Sequence, residues 1–207
     1  HFFNPPRYLT LLECIQTDQT DPEVVTTLTH FATTVLGKDV VFCHDCPNFI
    51  ANRIGGAMMN QRIALALEMN LTVDAVDAIA GPLMGMPKTA VFRLADLVGL
   101  DVSRAVARTA LEAFEDEKEA FSGRAAVATL IDQMIAQGWL GNKSGQGFYR
   151  KGADGGYEVL DLATQTHRPK TKPRFDSIAA IAKMASLEAR LQEWIRHDDL
   201  AAQYVWR

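Results

Sequence analysis

At 207 residues, with 48% hydrophobic and 22% charged residues, the chain has room for one or two globular domains with ordinary cores. A formal net charge of -4 leaves no basic footprint for nucleic acid, and no stretch approaches the roughly 18 apolar residues of a membrane span. Cys14, Cys43 and Cys46 are too few and too unevenly spaced for a disulfide framework, which favours a reducing cytoplasm, and a start at His1 rather than Met reads as an excised piece of a longer polypeptide.

The opening stretch, His1-Phe-Phe-Asn-Pro-Pro-Arg-Tyr-Leu-Thr-Leu-Leu-Glu13, puts a carboxylate among Leu9, Leu11, Leu12 and Ile15, in a pattern that predicts a strand over 7–16 buried on both faces. A buried carboxylate needs a partner. His1 is the nearest candidate, because Pro5 and Pro6 favour a turn that folds it back alongside Glu13. The product would be a carboxylate–imidazole dyad. In such a pair the acid holds one tautomer, stabilises the imidazolium and leaves the other ring nitrogen to act as a base.

Thr20-Asp-Pro-Glu23 predicts a capped helix start, continued by Val24, Leu28, Phe31, Val35 and Leu36 and ended by Gly37; Lys38 to Cys43 reads as a second strand. No Gly-x-Gly-x-x-Gly loop lies between a strand and a helix: Gly55-Gly56 falls mid-helix, and the glycines from Gly152 to Gly156 lack the flanking elements. Cys43-His-Asp-Cys46 has the spacing of a redox motif or half a zinc site. Without a second Cys pair to complete four ligands, free thiols at a strand end and no metal are expected.

From Pro47 the pattern turns helical. Phe49, Ile50, Ile54, Ala57, Met58, Leu65 and Leu67 line a predicted helix to Asn70, and Thr72 caps a short one through Ala80, closed by Gly81-Pro82. Phe92 to Phe114 is helical with a break expected at Gly99, Glu115 to Glu119 is a solvated end, and Ala125 to Gln137 is stopped by Gly138. Helices without intervening strands argue for a bundle-like domain ending near Tyr149 or Arg150. Beyond it come a glycine-rich turn, a strand or extended arm over Tyr157 to Leu162, a basic linker from Pro169 to Pro173, and one or two helices over 176–207. His30, His44, His167 and His197 have no carboxylate at a suggestive offset and are expected to be structural or exposed.

Several of these stretches are similar to one family. His1-Phe-Phe-Asn-Pro5 with Glu13, Asp45-Cys-Pro-Asn-Phe-Ile-Ala-Asn-Arg53, Met84-Gly-Met-Pro87 with Asp96-Leu-Val-Gly-Leu-Asp101, and Lys143-Ser-Gly-Gln-Gly-Phe-Tyr149 resemble, in order, the signatures of the L-3-hydroxyacyl-CoA dehydrogenases. The variant Pro87-Lys-Thr-Ala-Val-Phe-Arg93 and the segment after Tyr149 look most like the multifunctional bacterial enzymes that join this activity to an enoyl-CoA hydratase.

The resemblance implies a mainly α protein. A helical 3-hydroxyacyl-CoA dehydrogenase C-terminal domain, of the 6-phosphogluconate dehydrogenase C-terminal-like kind, would span 47–150. A small β/α remnant of a Rossmann NAD-binding domain would precede it over 1–46, and a linker with the truncated start of a second helical repeat would follow over 151–207. The implied reaction oxidises 3-hydroxyacyl-CoA to 3-ketoacyl-CoA with NAD in fatty-acid β-oxidation. His1 matches the family's base, Glu13 the carboxylate that orients it, and Asn52 the amide near the reacting oxygen; Asn4 and Lys143 fall where the family approaches the cofactor. A serine that the family takes from its cofactor domain has no counterpart, and Asn48 stands where a glycine is usual, which implies an Asn at positive φ. The implied partners are an acyl-CoA substrate, an upstream NAD-binding domain, an enoyl-CoA hydratase domain and a second copy of the chain. NAD is not expected to bind this piece well on its own, and the piece itself is expected to be inactive. The alternative is a non-catalytic helical module for dimerisation or substrate binding.

Overall fold

The computed structural model describes residues 1–113 and 124–207; the acidic Glu115–Glu119 stretch lies outside them. β1 (Leu11–Ile15) and β2 (Asp39–Cys43) form a parallel pair with Glu13 opposite Val41, and α1 (Pro22–Thr34) connects them. α1 begins where Pro22 presets a helical φ and the Asp21 carboxylate accepts from Glu23 N at 2.8 Å. The strand pair is less enclosed than the alternation predicts. Glu13 is 1% exposed, but the other β1 residues are only half-buried, because among the described residues β2 is the only strand paired with β1 and its other edge is met only by His1 and Phe2. In α1 the apolar residues keep their helical period, yet Val24, Leu28, Phe31 and Val35 face outward and Ala32 is buried.

α2 (Ala51–Glu68) starts later than Pro47 because Asn48 and Phe49 take left-handed φ values of 65° and 47° and turn the chain first. Its N-terminal half is not the core-facing one. Ile50, Ile54 and Met58 are exposed, whereas Ile63, Ala64, Leu65 and Ala66 are buried. α3 (Val73–Ile79), capped by Thr72, leads through a 3₁₀ turn at Pro82–Met84 to α4 (Phe92–Val98) and α5 (Leu100–Ala113), which part at Gly99 as expected. α6 (Arg124–Ala136) is stopped by Gly138 at φ 75°. Phe92 and Phe148 meet in the centre with ring centroids 4.6 Å apart and no exposure. Burial of each such ring is worth about 1.5–3 kcal/mol.

The core crosses residue 150 without a break. β3 (Tyr149–Lys151), β4 (Tyr157–Leu160) and β5 (His167–Pro169) form an antiparallel sheet in that order, and α7 (Asp176–Ile181), α8 (Leu187–Trp194) and α9 (Leu200–Trp206) follow. Ile181, Trp194, Ala201 and Tyr204 join the cluster that contains Ile63 and Leu130. The expected one or two helices are three, because Ser186 and Asp199 each accept from an amide in the first turn of a new one, Ala189 N at 3.3 Å and Ala202 N at 2.9 Å. Polar ties reinforce the packing. Arg190 Nε donates to Leu83 O at 2.9 Å, and buried Asp74 accepts from both Arg168 terminal nitrogens and from Thr171. Burial alone would raise the Asp74 pKa, but the bonds from Arg168, Thr72 and Thr171 hold it well below the usual carboxylate range.

Two further acids, half-buried Asp77 and buried Asp96, position the helices around the site. Asp77 accepts from Val91 N, Phe92 N and Arg93 N at 3.0, 2.8 and 3.1 Å, capping α4, and from Tyr149 Oη at 2.8 Å. Asp96, 2% exposed, accepts from Phe148 N and Tyr149 N at 2.9 and 2.8 Å. The Asp96-to-Asp101 motif thus fastens the Gly-Phe-Tyr loop onto α4. A Cβ on Gly147 would collide with the Asp96 carboxylate, and one on Gly141 with its backbone, so only glycine allows this approach.

Burial pushes the Asp96 carboxyl up to about 6 against the pull of its two amide donors. With an unfolded value near 3.9, folding takes up a proton between the two, so this group's contribution to stability is full below about pH 4 and is lost as the pH rises through 6. Asp96→Asn is expected to flatten that decline and to lower stability overall by about 1–3 kcal/mol, because an amide must turn its NH₂ toward one of the backbone donors. Urea denaturation from pH 4 to 7 checks it; a pH slope equal to that of the wild type would contradict the assignment.

Candidate active site

The first residues run back along β1. Phe2 bridges Leu12, the His1 main-chain nitrogen donates to Glu13 O at 2.6 Å, and Glu13 N donates to His1 O at 3.1 Å. The turn between them closes through Tyr8 N and Leu9 N, which donate to Pro5 O at 3.1 and 3.2 Å. Lys38, just before β2, donates its ammonium to Pro6 O and to Leu9 O and so clamps the turn from outside.

This pairing sets His1 Nδ1 2.7 Å from Glu13 Oε2. The ring is held on two sides, by Phe3 at a centroid distance of 4.7 Å and by Phe49 at 5.6 Å. The other oxygen, Glu13 Oε1, accepts from Ile50 N at 3.0 Å and Ala51 N at 2.8 Å. These are amides at the start of α2, where the N-cap residue Ile50 offers no capping side chain. The carboxylate therefore caps α2 from another segment and gains from the positive end of its dipole. The left-handed Asn48 and Phe49 present those amides, and Asn48 is itself fixed by Nδ2 donating to Val106 O at 3.0 Å on α5.

The remaining expected residues divide. Asn52 lies in the first turn of α2, half-buried on the wall of a cavity that Phe3 also lines, with no hydrogen bond to His1 or Glu13. Asn4 is exposed in the opening turn next to Phe3. Lys143 is not brought to the dyad, for its ammonium pairs with Asp101 at the junction of α4 and α5. Cys43 and Cys46 are free, and burial followed by the nearby Glu13 carboxylate pushes the Cys43 thiol up, opposite to what a redox thiolate needs. His167 is structural as expected, its Nε2 2.9 Å from Gly147 O and its ring edge-on to Trp139. His197 does have a carboxylate in reach, with Nε2 3.5 Å from Glu193, a helical-spacing pair that the sequence offered.

Residues 1–46 match the 3-hydroxyacyl-CoA dehydrogenase NAD binding domain, and residues 49–151 match the 3-hydroxyacyl-CoA dehydrogenase C-terminal domain. The chain belongs to the 3-hydroxyacyl-CoA dehydrogenase family. Its full length is 42% identical to a probable 3-hydroxyacyl-CoA dehydrogenase of Bacillus subtilis, of which it covers 26%. Over 83% of the chain it is 33% identical to a putative fatty acid oxidation complex trifunctional enzyme of Rickettsia prowazekii, covering 24% of that protein. Among solved structures, FadB2 of M. tuberculosis aligns with a TM-score of 0.62 and 36% identity over 73% of this chain and 51% of that one. The chain thus spans about a quarter of each of these two curated relatives.

For this member of the 3-hydroxyacyl-CoA dehydrogenase family, the α2 amides, the Phe3 and Phe49 rings and the Lys38 clamp are the parts that the sequence left unseen. Only the lack of a capping side chain at Ile50 hinted at the first. The double use of Glu13 makes the two dyad residues unequal in folding. Glu13→Ala strands two amides at the start of α2 and removes the partner of His1 Nδ1, and is expected to lower stability by about 3 kcal/mol. His1→Ala leaves Glu13 capped and is expected to cost about 1 kcal/mol. Chemical denaturation of both variants checks the order, and an equal loss would contradict it.

Proposed function

We propose that this chain carries the base and the substrate-binding helices of an enzyme that oxidises a 3-hydroxyacyl-CoA to the 3-ketoacyl-CoA with NAD, within fatty-acid β-oxidation. The observation behind this reading is the 2.7 Å contact of His1 Nδ1 with a Glu13 carboxylate that is 1% exposed and bound to α2. With Nδ1 donating to the carboxylate, Nε2 carries the lone pair and takes the hydroxyl proton as hydride leaves the substrate carbon. Glu13, whose other oxygen already holds the α2 amides, faces the imidazolium that forms and stabilises it. Phe3 and Phe49 pack on the ring and limit its turning. Asn52, in the adjacent turn, is assigned to the substrate oxygen.

The fit to NAD is at the nicotinamide end only. α1 opens on Asp21 with Glu23 in its first turn, an acidic terminus unsuited to a pyrophosphate, so the cofactor phosphates would be held by a domain to which 1–46 contributes β1, α1 and β2. Asn4, exposed beside Phe3, is the residue assigned to the nicotinamide. When bound, NAD supplies the hydride acceptor. Lys143, committed to Asp101, is given a structural role instead. The outward apolar residues of α1 would face the rest of such a domain, and the relative named as a trifunctional enzyme of a fatty acid oxidation complex supports a longer parent polypeptide with further activities. No described helix is long and apolar enough to cross a membrane.

The test is NADH formation from a 3-hydroxyacyl-CoA when this chain is mixed with a separately prepared NAD-binding domain, and in the full-length polypeptide. His1→Ala is expected to lower kcat by about 10²- to 10⁴-fold with little change in acyl-CoA binding. Glu13→Gln, which keeps an acceptor for the α2 amides, is expected to lower kcat at nearly wild-type stability. Near-normal turnover in His1→Ala would remove the base from the mechanism. No turnover under any reconstitution would favour a purely binding module.

A further inference from the structure

A cavity of about 390 Å³ lies between α2, α4, α5 and α6, inside the range of about 300–1,000 Å³ for small-molecule sites. It adjoins the dyad. Phe3, whose ring packs on His1, and Ala51, whose amide binds Glu13, both line it. It continues along α2 to Ile63, twelve residues past Ala51 and so about 18 Å farther along the helix axis. Leu94, Val98, Val106, Val127 and Ile131 form much of the opposite wall.

Asn48, Asn52, Arg53, Asn60, Ser103 and Arg104 make up a quarter of the lining residues, with Asn52 beside the dyad end, and the rest of the lining is apolar or glycine. Asn48 Nδ2 is spent on Val106 O, and the Arg104 guanidinium grips Asp132 through Nε and Nη2 at 2.7 and 2.8 Å. Asn60 Nδ2 is buried without a partner among the described residues. A charged or sugar-like guest would lose its hydration here with little in return. An alkyl chain would lose nothing.

Gly55 and Gly56 of α2 keep this space open. Glycine weakens a helix interior relative to alanine, and a Cβ built on either residue meets no atom within 4 Å. Neither backbone conformation requires glycine, since neither has a positive φ. Both are solvent-exposed at the cavity's edge, and what their missing side chains leave is an open rim along its α2 side.

We propose that this cavity receives the alkyl tail of the acyl thioester and that Gly55 and Gly56 set the chain length, admitting tails of about ten carbons or more. The proposal rests on the acyl-CoA reading above and adds the length of the acyl group. An extended alkyl chain advances about 1.3 Å per carbon, somewhat less than one C–C bond. A run of about 18 Å therefore holds roughly a dozen carbons, with the reacting end beside His1 and the tail directed away from it along α2.

The experiment is calorimetric titration of the 207-residue chain with butyryl-, octanoyl- and dodecanoyl-CoA, for the wild type, Gly55→Leu and Gly56→Leu. In the wild type each added methylene is expected to tighten binding about three- to fourfold. In either variant the ratio of dodecanoyl to butyryl affinity is expected to collapse toward one. Leucine is a strong helix former, so both variants should keep or raise the thermal midpoint, which circular dichroism checks before titration. Equal affinity for all three thioesters in the wild type, or a ratio unchanged in both variants, overturns the proposal. NADH formation separates this from the catalytic reading. Length-dependent binding without turnover leaves the tail site standing and removes the reaction, whereas turnover with no length dependence in binding does the reverse.

Discussion

The Glu13 carboxylate is the joint on which the arrangement depends. Taken out of water, it would be too costly to keep charged without full compensation, and it is compensated from two independent segments. One oxygen meets His1 from the opening turn, and the other meets the first amides of α2. The same group that orients an imidazole therefore fixes where the helical part of the molecule begins relative to β1. Folding and chemistry are coupled through a single side chain. The coupling explains why a carboxylate persists in a strand that would otherwise be wholly apolar.

The same device recurs deeper in the molecule. Asp77 gathers the first amides of α4, Asp96 those of Phe148 and Tyr149, and Asp199 those of Ser177 and Ala202. Each acid joins segments distant in sequence and satisfies backbone donors that packing would otherwise strand. Motif residues such as Asp96 and Gly147 thus have a structural explanation that needs no substrate. Asp96 holds the loop, and Gly147 leaves the room for it to do so. The Arg93 guanidinium adds to the fastening, lying over the rings of Tyr149 and Tyr157 at 4.3 and 4.5 Å.

What could be read from the sequence follows from how much information residue types carry. The contact of His1 with Glu13 was legible because a carboxylate in an apolar strand and a pair of prolines before it leave few alternatives. The other two partners of Glu13 were not, since backbone amides have no letter of their own. The period of α1 was legible but not its direction, because a stripe of Val24, Leu28, Phe31 and Val35 says only that one face is apolar, not what lies against it. The break at Gly99 could be foreseen, while the division of 176–207 into three helices rested on Ser186 and Asp199, capping residues easily taken for side chains that merely face water. Asp74, whose partners Arg168 and Thr171 lie nearly a hundred residues away, marks the limit. No local pattern announces a tie of that span.

α2 is held unevenly along its length. Its far half is embedded through Ile63 to Ala66 and tied by Tyr204 Oη to Arg62 O and by Arg207 to Glu68, while its near half, with Ile54 and Met58 exposed, projects toward the imidazole. Mechanically this is a beam of 18 residues, about 27 Å long, embedded at its far end and held at its near end by the Glu13 carboxylate. A tilt of about 2° at the embedded end would move the near end by about 1 Å, a displacement that the two amide bonds to Glu13 resist. Residues of α9 that touch no substrate therefore help to aim the amides on which Glu13 rests.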